Sequence, residues 1–193
     1  MSRWRVLAVA ALLTSAACAR RPADDVGAAI PVLFEKGSAQ ALYDADWRLV
    51  RLAEDEDGDR RAERITFYRP DQTPLRREVD MDRDGVIDRW EIFEPSGRLV
   101  RVGTSTRRGL RPDLWVDLDA QGAERRREYD DDGDGLPDRA EVWAEGRLVA
   151  EEFAIKGDGL FRRRLVRGPD GRVVRVETDD DGDGLFEKTN AVR

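Results

Sequence analysis

Acidic side chains at regular intervals are the residues of this chain whose types and spacing could do chemistry. From Asp80 to Glu91, carboxylates stand at positions 1, 3, 5, 9 and 12, and Gly85 stands at position 6. Alternate residues of a tightly wound loop point inward, so the carboxylates at positions 1, 3 and 5 converge. Two like charges about 4 Å apart repel by roughly 1 kcal/mol in water and by more where water is excluded. The spacing therefore predicts a site for a hard divalent cation.

This spacing, D-x-D-x-D-G, resembles the calcium loop of EF-hand proteins, in which position 7 offers its backbone carbonyl. Two further stretches repeat it, one from Asp130 and one from Asp179, the latter with Asn190 at position 12. Numerous all-oxygen ligands favour Ca²⁺ over Mg²⁺. The predicted calcium ligands are Asp80, Asp82, Asp84, Val86, Asp88, Glu91, Asp130, Asp132, Asp134, Leu136, Asp138, Glu141, Asp179, Asp181, Asp183, Leu185 and Glu187.

The acidic stretch recurs with a period of about 25 residues. A weaker copy holds Asp55, Asp57, Asp59 and Glu63, but Arg60 replaces its glycine, and whether it binds calcium stays open. The starts at 55, 80, 130 and 179 are separated by 25, 50 and 49 residues. Matching the turn motifs between units reveals two degenerate copies that have lost most of their acids, with starts at Ser105 and Ala154. The sequence therefore predicts six units.

Each complete unit places strand formers, a turn signal and a second strand after the loop. In the second unit these are residues 89–94, the turn at Pro95-Ser96-Gly97, and residues 98–102. A helix leaving Glu91 would meet Pro95 within about one turn, which excludes the flanking helices of a true EF-hand. We expect an all-β array of about six antiparallel hairpin repeats over residues 30–193. The loops resemble the helix-free calcium loops of thrombospondin type 3 repeats, and the array resembles bacterial hairpin repeats of the MORN or YD type.

The N-terminus is predicted to be a targeting segment. Arg3 and Arg5 precede an apolar run over residues 6–13 that is too short to span a bilayer as a permanent helix. The following Ser15-Ala16-Ala17-Cys18 resembles the lipobox of bacterial lipoproteins, which implies cleavage after residue 17 and lipid attachment at Cys18. Residues 18–29 would form a flexible tether, and Ala19 implies the outer membrane of the cell envelope. Ordinary secretion is the alternative, because small residues also suit a simple cleavage site.

Composition narrows the function classes. The 193 residues include no histidine and one cysteine, and the formal net charge is −7. This excludes a His/Cys zinc or copper site and histidine-based acid–base catalysis. The paired carboxylates nearly all lie in the D-x-D-G framework, so we predict that the chain is not an enzyme. The arginine trios 125–127 and 162–164 would split between two faces of a strand, so we expect no nucleic-acid partner.

The sequence thus predicts an exported, lipid-anchored, calcium-binding scaffold with a structural or interaction role. Its expected partners are calcium and the membrane through the lipid on Cys18, and a protein partner is left open. The rival interpretation is a calcium-independent interaction or adhesion scaffold, in which the acidic loops serve only as turns, because aspartate and glycine are good turn formers.

Overall fold

The computed structural model describes residues 5–7, 32–107 and 109–192. These residues form one antiparallel sheet whose strands follow one another in sequence order. The all-β hairpin array predicted from the sequence is confirmed. The strands are β1 (Arg5–Leu7), β2 (Val32–Lys36), β3 (Ala39–Tyr43), β4 (Leu49–Glu54), β5 (Arg64–Tyr68), β6 (Pro74–Val79), β7 (Arg89–Phe93), β8 (Leu99–Thr104), β9 (Leu114–Leu118), β10 (Glu124–Tyr129), β11 (Arg139–Ala144), β12 (Arg147–Phe153), β13 (Arg163–Arg167), β14 (Val173–Thr178) and β15 (Lys188–Ala191).

The repeating unit is a loop followed by a hairpin. In the second unit, β7 pairs with β8 so that Arg89 faces Thr104 and Ile92 faces Arg101. The register shifts between Ile92 and Phe93, just before the turn, and the other hairpins of the units carry a matching irregularity. Such β-bulges increase local twist and leave one residue unpaired. Each hairpin therefore reaches its turn in the same geometry.

The strands meander, so the connections alternate between two ends of the sheet. The acidic loops and their degenerate copies lie at one end, which we call the loop end. We name each loop by its first residue. Backbone hydrogen bonds join neighbouring loops there: the position 1 amide of one unit donates to the position 9 carbonyl of the unit before it. Examples are Asp80 to Glu63 at 2.8 Å and Asp130 to Asp113 at 3.0 Å.

The sheet is a single layer in the part of the chain that the structure describes. Every strand there contacts only the strands that precede and follow it. Few apolar side chains are therefore buried, and most of those are small; they are Ala41, Ala53, Phe93, Ala140, Ala150 and Ala154. On one face Gly103 lies between Trp90 and Trp115 on the adjacent strands. A Cβ on Gly103 would stand 2.8 Å from the Trp115 ring, so the site has no room for a side chain.

Ion pairs replace a covering layer on the face that carries Trp90 and Trp115. Glu152, 3% exposed, pairs with Arg126 at 2.7 Å and with Arg164 at 2.6 Å. Arg126 also pairs with Glu128 at 2.8 Å, and Arg164 also pairs with Glu177 at 3.5 Å. We call this chain of ion pairs the ion ladder. Both guanidinium groups also stack on rings, Arg126 over Phe161 and Arg164 over Phe186. Burial alone would raise the pKa of Glu128, but hydrogen bonds and the charges of its arginine neighbours lower it on balance.

The predicted targeting segment falls almost wholly outside the described residues. Cys18 and the tether over residues 18–29 lie outside them, and within residues 1–17 only β1 is described, paired with β2. In the described part of the chain, no helix has the length and apolar character that crossing a membrane requires.

Candidate metal centre

The acidic loops share one backbone frame that is built around the position 1 carboxylate. In the Asp179 loop, this group is 1% exposed and accepts hydrogen bonds from the amides of Gly182 at 2.6 Å and Gly184 at 2.8 Å. The same two bonds, from positions 4 and 6, recur at Asp130 and at Asp80. Burial alone would raise the pKa of Asp179, but these amide bonds lower it, so the carboxylate is ionised at neutral pH.

In the Asp55, Asp80 and Asp130 loops, the position 9 carboxylate closes the loop from the other side. Asp138 accepts hydrogen bonds from the amides of Asp131 at 2.7 Å and Asp132 at 3.1 Å. Glu63 accepts a bond from the amide of Glu56 and is 5% exposed. Positions 1 and 9 are therefore drawn to the same centre by the backbone that runs between them.

The structure gathers carboxylates into four groups, one in each acidic loop. Within a group, one oxygen from each residue lies within 4.8 Å of the others. At that distance each pair of charges repels by about 1 kcal/mol in water. A cation among the oxygens would remove this repulsion, so the groups could hold a metal ion. The groups are Asp55, Asp57, Asp59 and Glu63; Asp80, Asp82 and Asp88; Asp130, Asp132 and Asp138; and Asp179, Asp181, Asp183 and Glu187.

Several predicted ligands lie outside these groups. Glu91 pairs with Arg77 at 3.1 Å and Arg89 at 2.9 Å on the face of the sheet. Glu141 accepts a hydrogen bond from the Trp143 indole at 3.2 Å and lies 3.7 Å from Arg139. Both glutamates stand on a strand, where alternation turns the side chain away from the loop.

Two position 5 aspartates also stand apart from their groups. The carboxylates of Asp84 and Asp134 accept bonds from the amides of Val86 at 2.9 Å and Leu136 at 2.7 Å. Val86, Leu136 and Leu185, whose carbonyls were predicted to be ligands, occupy position 7 of their loops, and Leu185 is 67% exposed. The structure thus brings together positions 1, 3 and 9 in every acidic loop, and position 5 in only two of them.

The Asp55 loop is more complete than its sequence suggested. All four of its acids join one group, although Arg60 stands where the other acidic loops have glycine. Arg60 adopts φ +77°, close to the +88° of Gly85 and the +93° of Gly135. A residue with a Cβ adopts this left-handed conformation at a cost of about 1–2 kcal/mol. The fold therefore imposes the loop shape even where the sequence opposes it.

Position 4 is a second left-handed site that the sequence analysis did not use. Gly58, Gly133 and Gly182 hold this position with φ between +82° and +87°, and Arg83 holds it in the Asp80 loop with φ +61°. The recurrence of glycine at position 4 was a readable signal for these turns.

Arginines from one loop lie against the next. Arg61 donates to the carbonyl of Asp84 at 3.3 Å. A Cβ on Gly135 would stand 3.3 Å from the Arg111 guanidinium, and one on Gly182 would stand 2.8 Å from that of Arg162. Each positive charge partly offsets the acids beside it and weakens their attraction for a cation.

Comparisons with known proteins give no family. No family model and no curated protein matches the sequence. Among the solved structures that match are a mutant of S. aureus TarM in complex with fondaparinux, alpha-GlcNAc-glycerol and UDP, and accessory secretory protein 1, 2 and 3 of Streptococcus pneumoniae. The TarM match has 12% identity and a TM-score of 0.31, and covers 64% of this chain and 21% of that chain. The second has 15% identity and a TM-score of 0.20, and covers 58% and 17%.

The chain thus spans about a fifth of the length of the structures that it matches. TM-scores this low carry no argument about a shared fold or activity. These matches run against the prediction that the chain is not an enzyme. That prediction is withdrawn. Its physical weakness is that the absence of histidine removes one kind of acid–base group and leaves the carboxylates and arginines in place.

Proposed function

We propose that this chain is an exported, lipid-anchored protein whose hairpin array binds calcium at two to four of its acidic loops and serves as a structural or interaction scaffold in the cell envelope. The observation that supports this most is the convergence of carboxylate oxygens in four loops at one end of a single sheet. Calcium would neutralise each group and fix the angle between successive hairpins, so the array would be stiff when occupied and looser when empty.

Calcium suits these groups because every candidate ligand is an oxygen and no soft donor lies among them. Mg²⁺ demands a near-ideal octahedron and keeps its waters, whereas Ca²⁺ accepts irregular sets of carboxylates and carbonyls. The arginines beside the loops oppose a cation. Affinity is therefore expected in the range of extracellular modules, near ~10⁻⁴–10⁻³ M.

Calorimetric titration of the metal-stripped protein with calcium tests the proposal. Asp132→Ala should abolish binding at one loop, because Asp132 belongs to the Asp130 group, and the measured stoichiometry should fall by one. Asp170→Ala is the matched control. Its carboxylate also accepts a bond from the amide two residues on, that of Arg172, at 3.1 Å, but it lies at the opposite end of the sheet from the loops. Uptake of no calcium by the wild-type protein at millimolar concentration would refute the proposal.

The lipid anchor makes a separate prediction. Cys18→Ser should move most of the protein from the membrane fraction to the soluble fraction, because Cys18 is the only cysteine available for lipid attachment. Mass spectrometry of the mature N-terminal peptide distinguishes this from ordinary secretion. A peptide that begins at Cys18 without added lipid mass, or one that retains residues 1–17, would contradict the anchor.

A calcium-independent scaffold is the second candidate, and the backbone hydrogen bonds favour it. The position 1 carboxylates already accept two amide bonds each, and the position 1 amides already join neighbouring loops. Such turns could keep their shape without an ion. If this candidate is correct, titration with calcium releases no heat of binding, and Asp132→Ala gives the same result as the wild type.

A further inference from the structure

The two degenerate loops at the loop end keep one acid each and gain a basic residue at a ligand position. The Ser105 loop has Arg107 at position 3 and retains Asp113 at position 9. The Ala154 loop has Lys156 at position 3 and Arg162 at position 9, and retains Asp158 at position 5. We propose that in these two loops an arginine guanidinium takes the place of the cation, so that the chain itself supplies the positive charge and neither loop takes up a metal ion.

In the Ser105 loop, Arg107 closes the loop on the retained acid. Its Nε donates to Asp113 Oδ2 at 3.2 Å, and its backbone amide donates to the same oxygen at 3.1 Å. The guanidinium then reaches into the next loop, where it donates to the carbonyls of Asp130 and, at 2.9 Å, of Asp131. Asp113 is held as Asp138 is held in the acidic loops, by amides from positions 2 and 3.

In the Ala154 loop, an arginine also pairs with the retained acid, but here the arginine stands at position 9 and the acid at position 5. Arg162 Nη1 lies 2.6 Å from Asp158 Oδ1, and Arg162 is 8% exposed. The pairing raises the pKa of Arg162, with Asp179 of the next loop adding to the effect. Gly182 of that loop lies against the guanidinium, since a Cβ there would stand 2.8 Å from Nη2. The guanidinium thus places a positive charge against Asp158 and the next loop, and that charge repels a second cation.

Two kinds of loop follow one another along the loop end of the sheet. Acidic loops occupy the first, second, fourth and sixth places, and arginine-closed loops occupy the third and fifth. The inference rests on the proposed function for the metal content of the four acidic loops. The role assigned to the two arginines stands on their own contacts and does not require that any loop bind calcium.

Thermal unfolding in chelator tests the role of the arginine. Arg162→Gln keeps a polar side chain but removes the charge, and should lower Tm by about 2–4 °C in a chain of this length. The loss is measured in chelator, where no loop holds an ion. In calcium it should be smaller, because removing this charge strengthens the attraction of the adjacent Asp179 loop for a cation. The control is Arg163→Gln, which alters the next residue, exposed on β13, and should shift Tm by less than about 2 °C. Arg107→Gln provides a second, independent measurement in the Ser105 loop.

Conversion of the Ala154 loop into an acidic loop tests whether its basic residues are what prevents it from binding a metal ion. The variant Ala154→Asp, Lys156→Asp, Arg162→Asp restores acids at positions 1, 3 and 9, and should bind one more calcium ion than the wild type. Two results would overturn the inference. The first is that the wild type binds calcium but the triple variant binds no extra ion; the second is that neither Arg162→Gln nor Arg107→Gln lowers Tm. If the wild type binds no calcium at all, the proposed function fails, and the two single variants alone decide the inference.

Discussion

Glu152→Ala is expected to lower the free energy of unfolding by about 3 kcal/mol, since Glu152 is buried and each of its two arginine partners would lose one of two acid partners. Glu152 is 3% exposed and joins Arg126 and Arg164 across three strands. Its loss leaves two guanidinium groups in a half-buried setting, each with only one remaining acid partner on that face. Urea denaturation followed by circular dichroism measures the change.

Glu151→Ala is the matched control for this prediction. Glu151 precedes Glu152 on β12 and points to the other face. It pairs with Arg167, and its side chain is 26% exposed. This pair is half-buried and Glu151 is more open to water than Glu152, so this variant should lose less stability, about 1 kcal/mol. Equal losses in the two variants would show that the ion ladder does not hold the single layer together.

Removal of calcium is expected to have an effect of similar or greater size. At 5 mM calcium and the affinity expected here, each occupied loop would add about 1–2 kcal/mol to the free energy of unfolding. Two to four loops would together contribute about 2–8 kcal/mol, a large part of the total for a typical domain. Chelator should therefore lower Tm and expose the loop end to protease, with cleavage within the loops that bind calcium.

Two controls separate this effect from general electrostatics. Raising ionic strength with KCl screens charge without filling a site, and Mg²⁺ supplies a divalent charge with the wrong geometry. Both should restore less stability than calcium does. If circular dichroism and proteolysis are unchanged by chelator, the acidic loops are ordinary turns and the proposed function fails.

The fold could be predicted from the sequence because its signals are local. Pro95 and Gly97 exclude helices after the Asp80 loop, and the same loop–strand–turn–strand order recurs in the first five units, the sixth being truncated after one strand. Antiparallel pairing of consecutive strands then needs no long-range information. The bulge beside each turn was not predictable in this way. Its unpaired residue lies on the second strand and is valine or leucine in four of the five hairpins, at Leu75, Val100, Val149 and Val174, but these residue types are equally common at paired strand positions.

The candidate site was predicted less completely. Spacing identified positions 1, 3 and 9, which the backbone frame draws inward. Spacing could not show that Glu91 turns to Arg77 and Arg89, because that choice depends on strand alternation and on residues from another hairpin. Nor could it show that Arg60 accepts a left-handed conformation, which accompanies a hydrogen bond inside its own loop from the Arg60 amide to Asp55 at 3.0 Å.

The bonding of each unit only to its neighbours has a consequence for the length of the protein. Whole repeats can be gained or lost in steps of about 25 residues without disturbing the pairing of those that remain. Each step lengthens the sheet by two strands, or about 9.5 Å. The number of units therefore sets both the length of the loop end and the number of acidic groups spaced along it, without any change within a unit.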